Sequence, residues 1–275
     1  MSELLSLRRM VSSSLLLSSL CFSLIAHAQD NSAVDEIAKY RQLLADGNPA
    51  ELWEARGEGL WKEPRGPNQV ALTACDLGKG PGIVKGAYVE LPRYFADTRK
   101  VMDLEQRLAY CMVKIQGFTN EQATANHFGQ GEKRSQMEAL AAYIAGESRG
   151  MKIAVKAAHP EEARMYAAGK SIFFFRGGAY DFSCASCHSG DKQRIRLQEL
   201  PNLLVKEEAQ KAYATWPAYR VSQGEVRTMQ HRLYDCFRQQ RFPVPGYDSD
   251  MITALTLFLA KNADGGTFDA PALKR

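Results

Sequence analysis

Residues 182–188 read Phe-Ser-Cys-Ala-Ser-Cys-His. Two thiols three positions apart, followed at once by an imidazole, have one dominant chemical use. Cys184 and Cys187 reach the two vinyl groups of one haem, and His188 places a ring nitrogen under the iron, so the string reads as c-type haem attachment. A zinc site would want a second pair of Cys or His ligands at close spacing, and the chain offers none. A thioredoxin-like redox pair would open a helix in a strand–helix–strand setting, and strand-rich alternation is lacking here. One covalently bound haem c is therefore expected.

The ligand on the other side of the iron decides what such a haem does. Methionine suits electron transfer, whereas a thiolate stabilises the oxidised iron. Met229, His231, Cys236 and Met251 follow the motif. Met251 opens the last helix, where core packing is the expected role. Met229 and His231 lie so close to Cys236 that one of the three faces the iron. A lone cysteine is most often a small buried hydrophobe. Arg232 gives Cys236 a second reading, because four residues on a helix bring two side chains to one face. A guanidinium there lowers a thiol pKa and offers a bidentate donor to an oxyanion. Arg220, Arg227, Arg238 and Arg241 also crowd the region and read mostly as a solvated basic face. The alternative is a plain electron carrier with Met229 or Met251 on the iron.

These residues need elements to hold them, and the chain supplies them twice. Pro92-Arg93-Tyr94 and Pro217-Ala218-Tyr219 share Pro-x-Tyr, and Arg107-Leu108-Ala109-Tyr110-Cys111 and Arg232-Leu233-Tyr234-Asp235-Cys236 share Arg-Leu-x-x-Cys. Both pairs are offset by 125 residues, and 137–145 resembles 252–260 at an offset of 115. Ordered matches of this kind mark an internal duplication. Apolar spacing predicts helices near 50–61, 135–145, 165–175 and 249–261, with a long loop-rich stretch between the cysteine motif and Pro217. Pro160, followed by two glutamates, opens a new helix and marks the boundary between the halves. The expected fold is mainly α, as two tandem class I cytochrome c-like domains over 29–157 and 158–275.

Arg8 and Arg9, an apolar run ending at Ile25, and Ala26-His27-Ala28 form a signal peptide over 1–28, cleaved after Ala28. That run is too short and serine-rich to span a bilayer, so no membrane span is expected in the mature chain. Hydrophobic residues make up 45% of the chain and the net charge is +4, without a long basic run, which argues against nucleic-acid binding. Five cysteines follow the leader. The first half has no Cys-x-x-Cys-His string, so it cannot attach haem. In an oxidising compartment its Cys75 and Cys111 are expected to form a disulfide, the alternative being two buried thiols.

The stretch 169–266, with Cys-Ala-Ser-Cys-His, Trp-Pro-Ala-Tyr-Arg and His-Arg-Leu-Tyr-Asp-Cys, resembles the SoxA subunit of the SoxAX cytochromes, and the likeness extends through the first half. That resemblance implies a periplasmic L-cysteine S-thiosulfotransferase, joining thiosulfate oxidatively to a cysteine of the SoxYZ carrier. It implies a heterodimer with the monohaem cytochrome SoxX. The family's catalytic cysteine, a haem ligand that can carry a persulfide, matches Cys236, and its substrate-binding arginine matches Arg232. Many members hold a second haem in the N-terminal domain; this sequence departs there and resembles the monohaem type.

Overall fold

Two glycines show the duplication in three dimensions. A Cβ at Gly57, in helix α1 (Ala50–Lys62), would lie 2.0 Å from the carbonyl oxygen of Ala139 in a later helix of the same half. A Cβ at Gly169 would lie 2.0 Å from the carbonyl oxygen of Ala254. Ala139 and Ala254 are again 115 residues apart. Each half therefore closes one helix crossing on a glycine, because only a hydrogen lets the two backbones come this close. The partners in the crossings are α1 with α4 (Gln136–Gly146), and α5 (Pro160–Phe174) with α9 (Asp250–Asn262). Pro160 occupies the first turn of α5, and the Glu162 carboxylate reaches back 3.0 Å to the His159 amide, closing a capping box.

The same register holds in the segments that follow two of the cis prolines, at Leu91–Pro92 and Trp216–Pro217. Antiparallel strands β1 (Arg93–Phe95) and β2 (Lys100–Met102) lead into α2 (Leu104–Lys114). After β5 (Ala218–Arg220) and β6 (Glu225–Arg227) comes α8 (Met229–Gln239), every bound shifted by 125. Asp103 caps α2 by accepting from the Gln106 amide, and Thr228 caps α8 by accepting from the His231 amide. Between α2 and α4 lies a short helix, α3 (Asn120–Thr124). The second half carries the short helix α6 (Cys184–His188), a small hairpin of β3 (Arg194–Ile195) and β4 (Gln198–Glu199), and α7 (Lys206–Tyr213).

Helix α7 lies inside the stretch expected to be loop. Only Ala209 and Tyr213 are buried on it, too few positions to show a period. A last strand, β7 (Ala272–Lys274), lies parallel to β5 and pairs Arg220 with Lys274; nothing local in the sequence signals it.

The computed structural model describes residues 39, 47–129, 135–195 and 198–274; the expected signal peptide lies outside them. Residues 49–275 form one unit whose apolar core runs through both halves, from Trp61, Leu108 and Leu140 to Phe173, Leu255 and Phe258. The halves also meet through buried polar groups. Gln230 donates to Asp103 at 2.7 Å, Thr228 to Glu105 at 3.1 Å, and His231 to Glu138 at 3.1 Å. Among the described residues no helix is long and apolar enough to cross a membrane.

Candidate active site

Ser183 starts α6 by accepting from the Ser186 amide, while the Ser186 hydroxyl accepts from the Ser183 amide. That reciprocal cap tightens the turn presenting Cys184, Cys187 and His188, all half-buried. His188 donates from Nδ1 to the Pro201 carbonyl at 2.9 Å, leaving Nε2 as the lone-pair nitrogen. Burial, with a contribution from Arg232, pushes the His188 pKa down, so the ring is held neutral, as a metal ligand must be.

Cys236 comes to this turn from α8. Its charge and that of Cys187 oppose ionisation of Cys184, whose pKa burial pushes up to about 12. Burial raises the Cys236 thiol as well, Arg232 pulls it back down, and Asp235 and Cys187 push it up. Arg232 therefore acts on both His188 and Cys236. The other three candidates for the iron are placed elsewhere. Met229 is buried and lines a cavity with Asp103, Tyr213 and Gln230. His231 is held by Glu138 and stacked on Phe128. Met251 is 43% exposed, contrary to the core role expected for it, because it sits on the outward side of the first turn of α9.

The donor set fits a c-type haem: two thiols and a neutral imidazole on one turn, with a third sulfur near enough to act on Cys184. Phe174, Phe175, Tyr180 and Phe182, close to the motif in the chain, present apolar rings suited to a porphyrin.

The basic residues divide in a way that composition does not show. Arg238 pairs with Asp235 at 3.2 Å on the surface, and Arg241 is exposed. Arg227 is no solvated residue: it reaches the fully buried Glu138 at 3.1 Å and Glu225 at 2.6 Å. Arg220 is half-buried and electrostatically coupled to Arg232. Lys274, which the sequence reading missed, joins them from β7. Burial, then Arg220 and Arg232, lower its pKa to about 8.

In the first half Cys75 and Cys111 are joined in a disulfide. Arg107, one turn before Cys111, is 4% exposed and lies 2.8 Å from the Asp97 carboxylate. It also donates to the Asp76 carbonyl at 2.7 Å and covers the Phe95 ring at 4.1 Å.

A family model described as SoxA/TsdA, cytochrome c domain, matches residues 56–153 and 168–268, one segment in each half. The L-cysteine S-thiosulfotransferase subunit SoxA of Hydrogenophilus thermoluteolus is 50% identical over 250 residues, spanning 90% of this chain and 91% of that one. The chain belongs to the SoxA family. A SoxA subunit of Hydrogenobacter thermophilus is 35% identical over 92% of this chain and 93% of its own length. The crystal structure of SoxXA from P. pantotrophus superposes with a TM-score of 0.70 at 26% identity, covering 86% of this chain and 84% of that one. The SoxA family accounts for both cytochrome c-like segments, and thereby for the mainly helical fold.

Proposed function

We propose that this SoxA-family chain is a periplasmic L-cysteine S-thiosulfotransferase subunit that couples thiosulfate oxidatively to a carrier cysteine, with Cys236 and Arg232 at the reacting centre. The observation that carries it is the meeting of Arg232 and Cys236, from α8, with the Cys184–Cys187–His188 turn. Cys184 and Cys187 would hold one haem c covalently, with His188 and Cys236 as the residues that would ligate its iron, and that haem would supply a one-electron acceptor.

The overall step balances simply. A carrier thiol and thiosulfate form one new sulfur–sulfur bond, giving the carrier S-thiosulfonate, one proton and two electrons taken up by c-type cytochromes. Arg232 binds the incoming sulfonate and offsets negative charge as the two sulfurs approach. The same guanidinium favours the anionic form of Cys236, as thiolate or persulfide, against the burial that opposes it. The Pro201 carbonyl fixes the tautomer of His188. Two electrons need a second acceptor, which a SoxX-type partner would provide; the SoxXA likeness and the relatives' names support that partner and a SoxYZ-type carrier.

The first half, 29–157, is read as haem-free, because its cysteines form a disulfide and it lacks the attachment string; 158–275 carries the haem. Mass spectrometry of the mature chain should show cleavage after Ala28 and the mass of a single haem. Electron paramagnetic resonance of the oxidised protein should show a low-spin, thiolate-ligated iron. A methionine-type spectrum would instead mark a plain electron carrier.

A further inference from the structure

Two further cations, Arg220 and Lys274, converge on Arg232, the arginine that acts on Cys236, and none of the three makes an ion pair among the described residues. Parallel pairing of β5 with β7 sets Arg220 next to Lys274, and the Val221 amide donates to the Lys274 carbonyl at 2.8 Å, which fixes that register. Arg232 approaches from α8 and is coupled to both. All three side chains are half-buried. The Lys274 ammonium lies 5.6 Å from the centre of the Trp216 ring, a contact that offsets only part of the cost of gathering like charges. Asp235 is the single acid with a resolved influence on Arg220, and it is taken by Arg238.

The first half shows what a purely structural arginine looks like at this position. Arg107 has the Asp97 carboxylate and the Phe95 ring. At the matching positions the second half has Ser222 and Arg220. The acid is gone and the aromatic ring has become a second cation. Like charges held together out of bulk water call for an anion.

We propose that Arg220 and Lys274 form, with Arg232, a three-cation seat for the sulfonate end of thiosulfate and of the S-thiosulfonate product, selecting dianionic sulfur compounds. Arg220 and Lys274 are positioning residues: they hold the oxyanion end while the outer sulfur meets Cys236. This rests on the function proposed above and adds to it the residues that set substrate charge.

The test uses the haem-loaded complex with its cytochrome partner. Thiosulfate binding is measured by calorimetry, and turnover with a carrier protein and a cytochrome acceptor is measured alongside. Lys274→Met and Arg220→Gln should each weaken thiosulfate binding and raise KM about tenfold, with kcat within twofold of the parent and the haem spectrum unchanged. Lys274→Arg and Arg220→Lys should recover most of the affinity, which a merely structural role would not require. Affinity for the monoanion thiocyanate should change less than that for thiosulfate. Unchanged binding and KM in both charge-removing variants would overturn the seat while leaving the proposed function standing. A parent complex that binds thiosulfate, loses binding in the variants, but never couples it to the carrier would keep the seat and defeat the function.

Discussion

Arg107 and Cys111 occupy in α2 the places that Arg232 and Cys236 occupy in α8, and the molecule uses the two pairs in opposite ways. In the first half both groups are satisfied: the thiol is in a disulfide, and the arginine is neutralised by Asp97. In the second half the thiol is free, and its arginine faces two further cations. Through the hairpin and the helix that follows it the two halves have matching bounds, so there the difference lies in a few side chains and in one added strand. A duplicated scaffold can thus keep one copy for stability and leave the other under electrostatic tension for chemistry.

The sharpest way to break the comparison is to remove each cysteine in turn. Cys236→Ala should abolish thiosulfate coupling, by about 10³-fold or more, while retaining the haem. The double change Cys75→Ala with Cys111→Ala should leave kcat within twofold and lower stability by about 2–5 kcal/mol, read from thermal or urea unfolding. Equal loss of activity in both would erase the functional asymmetry.

Next come the arginines. Arg232→Gln should lower kcat/KM about 100-fold, as expected for a lost charge-assisted contact to substrate. Arg107→Leu should leave turnover alone but cost about 2–4 kcal/mol of stability, since a buried donor to Asp76 and Asp97 is lost. A milder change makes the second half imitate the first. Ser222→Asp, at the position matching Asp97, should raise KM for thiosulfate severalfold at unchanged kcat by supplying Arg232 with an acid.

The most gradual effect, spread over about two pH units, concerns the polar seam between the halves. Burial raises Asp103 to about 6, against which the hydrogen bonds donated by the Gln106 amide and the Gln230 side chain act. The folded form therefore takes up a proton at a pH where the unfolded chain has already lost it. Stability should fall as pH rises from about 4 to about 6, by up to about 3 kcal/mol, and be flat in this respect above that window. Urea midpoints across the range check this, and Asp103→Asn should flatten the slope.

Much of this architecture could be read from the chain because it is written twice. Pro-x-Tyr and Arg-Leu-x-x-Cys at one offset implied the duplication, and the attachment string marked the candidate haem turn, whereas the two hairpins of three-residue strands were not foreseen. What escaped notice was non-local or weakly patterned. Lys274 joins Arg220 through a parallel pairing across more than fifty residues, for which a three-residue strand carries no signature. Helix α7 buries two side chains, and Arg227 reads as a surface charge until Glu138 is found beneath it. Burial of a carboxylate on a helix of one half cannot be inferred from an arginine on a strand of the other.

The Cys75–Cys111 bridge has a further consequence for a protein that handles reactive sulfur. Sulfite, thiosulfate and persulfides all cleave disulfides when they can approach a sulfur atom in line. Cys75 is 0% exposed and Cys111 1%, beneath a lid of core side chains. The bridge is thereby shielded from sulfitolysis by the compounds proposed to pass through the other half of the same chain.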